Sequence, residues 1–135
     1  MAIDLSIYNK TLKVRYVKHQ QSLYQLDYSL NIRKWMKAYF PNATAVEHKL
    51  IRDEAREKEK KLKKQWWDTA DKAFRKLFKR PMEATDYRVS GIGRDEFPEA
   101  VKNKLRQLIT EENTYHTIAY AHNLMLPATM RNFNY

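Results

Sequence analysis

Residues 60–81 read KKLKKQWWDTADKAFRKLFKRP, a run in which basic and aromatic side chains alternate with helical spacing. At 100° per residue, the apolar positions fall within an arc of roughly 160° on one side of a helix. That side holds Leu62, Trp66, Trp67, Ala70, Ala73, Phe74, Leu77 and Phe78. The opposite side holds Lys61, Lys64, Lys72, Arg75, Lys76 and Lys79. The run therefore predicts an amphipathic helix with an aromatic side and a basic side.

The aromatic side is typical of a protein core. Two Trp and two Phe at helical spacing predict packing against neighbouring helices, here a predicted helix over 20–40 that carries Tyr28, Leu30 and Trp35. On this interpretation both Trp66 and Trp67 are buried.

The basic side carries more charge than a solvated helix face needs. Residues 60–80 hold 9 Lys and Arg against 2 Asp, and the whole chain has a net charge of +10. We expect i,i+4 ion pairs Lys64–Asp68, Asp68–Lys72 and Asp71–Arg75, which leave most of the excess uncompensated. Such a stripe suits a phosphate backbone. The predicted nucleic-acid-binding residues are Lys60, Lys61, Lys63, Lys64, Lys72, Arg75, Lys76, Lys79 and Arg80.

The basic run belongs to a longer predicted helix over 45–80. Pro41 ends the preceding helix, and Thr44 followed by Glu47 matches a capping box. Residues 52–61, RDEAREKEKK, contain Ala55 as their one apolar side chain. We expect this stretch to cross solvent or contact a partner, and to open more readily than its flanks.

The N-terminal segment alternates with a period of two. Ile3, Leu5 and Ile7 share one face of an extended chain, as do Leu12, Val14 and Tyr16. This predicts a small β-hairpin over residues 1–17. The alternative is that the first helix begins near Thr11.

The C-terminal part predicts a helical segment over 95–126 and a loosely attached tail over 127–135. The segment starts near Asp95 with Pro98 in its first turn, and Asn113 and Thr114 cap a separate last helix. Tyr87 and Val89 alternate with polar residues and suggest a brief strand. The predicted fold is mainly α: one domain over 1–135, built on an antiparallel pair of helices (20–40 and 45–80), with a minor β element.

The composition argues against a secreted protein, a membrane-spanning protein and an enzyme. The chain has no cysteine, shows no secretory leader and has no apolar run of the ~20 residues that a membrane span needs, so we expect a cytoplasmic protein. Glu112 and His116 have metal-ligand spacing, but no third ligand follows from the sequence, and no nucleophile motif is present. We expect no enzyme activity, no cofactor and no metal.

These observations favour a non-catalytic accessory protein that binds DNA or RNA with low sequence specificity. The alternative is an adaptor or inhibitor with an acidic protein partner, or a subunit of a larger assembly such as a phage or mobile element encodes. A helix lying on a membrane surface shares the pattern. The other amphipathic helices need the aromatic side for packing, however, so we expect no membrane partner.

Overall fold

The computed structural model describes residues 3–8, 24–86 and 92–131, with the backbone alone over 24–31. Within these ranges the chain is helical and contains no strand, which confirms the mainly α prediction. The helices are α1 (Leu5–Ile7), α2 (Tyr24–Tyr39), α3 (Ala45–Phe78) and α4 (Glu99–Leu124), with 3₁₀ turns at Ala84–Asp86 and Ala128–Met130. None of the described helices is long and apolar enough to cross a membrane.

The predicted β-hairpin is wrong where the structure describes it. Residues 5–7 form a single helical turn, because the Asp4 carboxylate accepts hydrogen bonds from the backbone N–H (3.0 Å) and hydroxyl (2.7 Å) of Ser6. A side chain that bonds its own local backbone in this way competes with strand formation. The rest of the hairpin (9–17), the alternative helix start near Thr11 and the suggested strand at 87–89 lie outside the described residues.

Hydrogen bonds from nearby residues fix both ends of helix α3. The hydroxyl of Thr44 accepts the N–H of Glu47 at 3.2 Å, as the capping box requires. Lys79 adopts a left-handed conformation (φ 59°), and its N–H donates to the carbonyl of Arg75 at 3.0 Å. The helix thus spans Ala45–Phe78 where 45–80 was predicted, and Lys79 and Arg80 follow its end.

The extensive helix pair is α3 with α4, not the predicted pair of helices over 20–40 and 45–80. Early residues of α3 contact late residues of α4, so the two helices are antiparallel; Arg52, for example, bonds Asn123. Helix α2 has more contacts with α4 than it has with α3. The reason is that the apolar face of α4 extends along the whole helix, so α4 packs against both α2 and α3.

Two apolar clusters make up the core. One joins the C-terminal half of α3 to the start of α4: Leu62, Trp66, Ala70, Ala73, Phe74, Met82, Phe97, Leu105 and Leu108. The other joins the residue after α1 to α2, the N-terminal half of α3 and the end of α4: Tyr8, Ile32, Trp35, Met36, Ala55, Ile118, Ala119 and Ala121. The aromatic side of α3 therefore packs on α4, whereas Trp35 lies in the other cluster.

Helix α4 is one continuous element over Glu99–Leu124, which corrects both its predicted start near Asp95 and the predicted break at 113–114. Pro98 precedes the first helical residue, and its carbonyl accepts the N–H of Lys102 at 3.0 Å. The Thr114 hydroxyl donates back to the carbonyl of Thr110 at 3.0 Å, so it is satisfied inside the helix and does not cap a new one.

The tail is attached as far as it is described. The guanidinium of Arg131 donates to the carbonyls of Leu126 (2.8 Å) and Leu124 (3.2 Å). Arg52 donates to the carbonyl of Met130 at 2.6 Å. These bonds hold residues 127–131 against the end of α4, contrary to the predicted loose attachment; residues 132–135 lie outside the described part.

Candidate nucleic-acid interface

All nine predicted nucleic-acid-binding residues are exposed, but four of them are engaged by acidic neighbours. The ion pairs are Lys60–Glu57 (3.6 Å), Lys63–Glu59 (3.4 Å), Arg75–Asp71 (2.9 Å) and Arg80–Asp86 (2.8 Å). Arg80 donates hydrogen bonds to Asp86 through both terminal nitrogens of its guanidinium. These bonds, together with the N–H of Glu83, lower the pKa of Asp86 to about 2. These four cations are partly neutralised within the fold.

The other five lysines form no ion pair with any residue that the structure describes. They are Lys61, Lys64, Lys72, Lys76 and Lys79, and we call them the lysine face. Lys61 and Lys64 lie on the outward side of α3, Lys72 and Lys76 lie toward its flank, where they line a pocket with Pro98 and Val101 at the start of α4, and Lys79 follows the helix. At 1.5 Å per residue the lysine face extends over ~27 Å.

Asp68 lies between the two ends of the lysine face and stays exposed. The predicted pairs Lys64–Asp68 and Asp68–Lys72 are absent among the described contacts, whereas Asp71–Arg75 forms at 2.9 Å. Asp71 also accepts the N–H of Met82 at 2.7 Å; that bond and Arg75 lower the pKa of Asp71. Asp71 thus orients the turn after α3.

The two tryptophans of the basic run differ in burial. Trp66 is 5% exposed and lies in the core beside Leu105 and Leu108. Trp67 is half-buried and packs at the margin of that cluster, so it is less buried than predicted. Because the two side chains point 100° apart, α4 covers the first and reaches only part of the second.

Residues 52–61 pack on α4 and do not cross solvent, which corrects one of the two predictions for this stretch; contact with a partner stays a prediction. Arg52, Ala55 and Glu59 are buried against α4. Arg52 donates to the side-chain oxygen of Asn123 at 3.1 Å, and Glu59 contacts the Nδ1 of His116 at 3.0 Å. Burial alone would raise the pKa of Glu59, but His116 and Lys63 outweigh it and lower the pKa. We call Arg52, Glu59, His116 and Asn123 the polar seam.

A second polar group that the sequence did not reveal lies beyond the polar seam. The Nε2 of His122 lies 2.7 Å from the hydroxyl of Tyr8, and its Nδ1 lies 2.9 Å from the Nδ1 of His48. Burial, with a smaller contribution from the charge of His48, lowers the pKa of His122 to about 3. Burial likewise lowers the pKa of His48. Both rings are therefore neutral at pH 7. One of the two Nδ1 atoms carries a hydrogen and donates it to the other.

The spacing of Glu112 and His116 does not produce a metal site. The ring of His116 turns to Glu59. No group of three or more His, Cys, Asp or Glu residues that suits a metal ion occurs in the described part of the chain.

Comparison with known proteins yields no match to a protein-family model, a curated protein or a solved structure.

Proposed function

We propose that this protein is a non-catalytic nucleic-acid-binding protein whose lysine face contacts the phosphate backbone. The observation that supports the proposal is that Lys61, Lys64, Lys72, Lys76 and Lys79 are exposed on one side of the protein and without ion pairs among the described residues. A cytoplasmic location is part of the proposal.

Lysines of this kind bind phosphate without reading sequence. The ammonium group is a compact point charge on a flexible stem, and it lacks the planar fork with which Arg recognises guanine edges. Each phosphate contact releases condensed counterions, so affinity depends steeply on salt. We therefore propose low sequence specificity on the lysine face itself.

The test compares two variants with the same net charge. In the first, Lys61, Lys64, Lys72 and Lys76 are replaced by Gln. In the control, Lys34, Lys37, Lys49 and Lys58, which are also exposed, are replaced by Gln. Binding of fluorescent single- and double-stranded oligonucleotides is measured by anisotropy across a salt series.

We expect the first variant to lose affinity and to flatten the log–log salt dependence by up to ~3–4 units, because each contact contributes about 0.9 on duplex DNA. The control should change little. Equal losses in both variants would mean that total charge, and not the lysine face, attracts the polyanion. Parent protein that binds anionic vesicles as tightly as oligonucleotides would favour the membrane-surface alternative.

A protein partner is the second candidate, and it rests on exposed apolar side chains. Val46 and Leu50 are 63% and 51% exposed, one turn apart on the outward side of α3, and Tyr39 is also exposed nearby in sequence. A partner with an acidic and apolar surface fits these residues together with the lysine face. Replacing Val46 and Leu50 by Ser should then leave oligonucleotide binding intact and abolish only the protein complex.

A further inference from the structure

A pocket of about 420 Å³ lies between the C-terminal half of α3 and the start of α4. Helix α3 contributes Thr69, Ala73 and Leu77, which follow one another at i,i+4 and therefore form one row on the helix surface. Helix α4 contributes Val101, and Pro98 just before the helix completes the apolar lining. Apart from the Thr69 hydroxyl, these five side chains are apolar, so the interior favours an apolar group.

Lys72 and Lys76 of the lysine face line the same pocket. They stand one turn apart on α3, in the row beside Ala73, with Cβ atoms ~5–6 Å from each other. Both side chains are exposed, and neither forms an ion pair within the described ranges. The pocket therefore combines an apolar interior with two positive charges that the described fold does not compensate.

Acidic residues near the pocket are engaged elsewhere or stay exposed. Asp71 accepts a bond from Arg75 at 2.9 Å, and Glu99 pairs with Lys102 at 3.6 Å. Asp68 is exposed and pairs with no residue that the structure describes. By charge complementarity, the two lysines of the pocket suit a negative group that comes from another molecule.

The lining favours a peptide over a nucleic-acid base. A base carries donors and acceptors along its edges, and these need partners when the base is buried. Besides the two ammonium groups, the lining side chains offer one hydroxyl, that of Thr69, and no aromatic ring on which a base could stack. A leucine or phenylalanine side chain needs no polar partner, and glutamate or aspartate beside it supplies the negative charge.

A second copy of this chain is disfavoured as the occupant. The chain has a net charge of +10, and a symmetric contact through this pocket would bring two sets of lysines together. Leu77 is nevertheless 43% exposed, so the pocket leaves apolar surface that a partner of opposite charge would cover.

We propose that this pocket binds an acidic segment of a partner protein. One apolar side chain of the segment fills the pocket beside Leu77 and Val101. Acidic side chains next to it pair with Lys72 and Lys76. The peptide site goes beyond the proposed function and does not rest on it, because the pocket has the same lining whether or not the lysine face binds phosphates. Since both ligands use these two lysines, peptide and nucleic acid would exclude each other.

The test uses two short fluorescein-labelled peptides. The first has one leucine between two runs of glutamate, and the second has serine in place of that leucine. Their anisotropy is measured with the parent, with Leu77→Ser and with the matched control Leu50→Ser, which changes an exposed leucine in the other half of α3. Far-UV circular dichroism checks that the variants remain folded. The comparison of the two peptides needs no variant, so it tests the pocket even if Leu77→Ser does not fold.

We expect the parent and Leu50→Ser to bind the leucine peptide ~10-fold more tightly than the serine peptide, the lower end of the effect of burying a leucine side chain. Leu77→Ser should lose most of this preference. Equal binding of the two peptides by the parent, or no binding of either, would overturn the proposal. A preference that survives in Leu77→Ser and disappears in Leu50→Ser would also overturn it, because the apolar contact would then lie in the other half of α3.

The charged half of the site is tested by a variant in which Lys72 and Lys76 are replaced by Gln. Its control has Gln in place of Lys34 and Lys37, which are exposed on α2. The first variant should bind both peptides ~3–10-fold more weakly than the control, the scale of two exposed ion pairs. Equal affinities in the two variants would contradict the pairing.

Competition separates the peptide site from the proposed function. Unlabelled leucine peptide is titrated into a complex of the parent with a fluorescent oligonucleotide, and we expect displacement over the concentrations at which the peptide binds directly. A peptide that binds without displacing the oligonucleotide would overturn the shared use of the two lysines. Parent protein that binds oligonucleotides but neither peptide would overturn the peptide site and leave the proposed function standing. If no oligonucleotide binds, the proposed function fails, and the two peptides alone decide on the pocket.

Discussion

We expect acidification from pH 7 to pH 5 to destabilise this protein through His122. The ring is 0% exposed and uses both nitrogens, one toward the Tyr8 hydroxyl and one toward His48. Its surroundings hold the neutral form, because burial lowers the pKa of His122 to about 3. If both His122 and His48 were protonated, each would carry an N–H at the 2.9 Å contact between their Nδ1 atoms, and the two donors would repel each other.

The size and sign follow from proton linkage. In the unfolded chain a His has a pKa near 6.5, so between about pH 6.5 and pH 3 the unfolded state binds a proton that the folded state excludes. The free energy of unfolding is therefore highest above pH 6.5 and falls as the pH drops. From pH 7 to pH 5 the loss due to His122 is ~2 kcal/mol. The lowered pKa of His48 acts in the same direction.

Urea unfolding of the parent, His122→Gln and Tyr8→Phe at pH 7 and pH 5 measures this loss. His122→Gln should be less stable at pH 7, but its change between the two pH values should be ~2 kcal/mol smaller than that of the parent. Tyr8→Phe keeps the titrating ring and should lose ~1 kcal/mol at both pH values. A His122→Gln variant with the full pH dependence of the parent would refute the argument.

Four further substitutions test the packing by urea unfolding. Trp66→Ala should cost ~3–5 kcal/mol and Trp67→Ala clearly less, since only the first is fully buried; equal losses would contradict the assignment. Arg52→Met should cost ~1–3 kcal/mol by removing the hydrogen bonds to Asn123 and to the partly buried carbonyl of Met130, and it should speed proteolysis of the tail; an unchanged cleavage rate would argue against the attachment. Gly93→Ala should cost ~2–3 kcal/mol, because Gly93 has φ +80° and an added Cβ would lie 2.6 Å from the Phe97 ring; a stable variant would contradict that geometry.

The sequence predicts α3 well because its signals are local. Pro41, the Thr44–Glu47 capping box and a long run without Gly or Pro act within a few residues of one another. The partner of α3 could not be predicted in the same way. Amphipathic patterns show that a face is buried, but they do not show which of two other helices covers it.

The N-terminal turn shows why short periodic patterns mislead. Three alternating apolar residues, Ile3, Leu5 and Ile7, fit a strand, yet one carboxylate from Asp4 is enough to start a helical turn. All three are partly buried against the second apolar cluster, but the backbone that places them there is helical and not the predicted strand.

Polar residues on the inward face of α3 account for the wrong prediction over 52–61. Positions 48, 52, 55, 59, 62 and 66 follow one another at helical spacing, and all six are buried. Counting only apolar residues breaks this stripe at Arg52 and Glu59. Their partners, Asn123 and His116, lie on another helix, so no local pattern identifies them.

Part of the candidate site follows from spacing and part does not. Glu59 and Lys63 stand at i,i+4, so their pairing was open to prediction, and the same holds for Asp71 and Arg75. Arg80 pairs with Asp86 only because the chain turns after α3. The pocket that Glu112 lines with Trp66 and Trp67 forms only when both helices are in place.

The lysine face does not contribute to the fold that carries it. Lys61 and Lys64 are like charges three residues apart in α3, and Lys72 and Lys76 are four apart; each such pair costs ~0.2–0.5 kcal/mol in a helix. None of these side chains lies in either apolar cluster. The variant with Gln at positions 61, 64, 72 and 76 should therefore unfold at a slightly higher urea concentration than the parent. A gain in stability together with a loss of polyanion binding would show that these lysines serve binding and not folding. Removing residues that stabilise a fold would instead lower its stability.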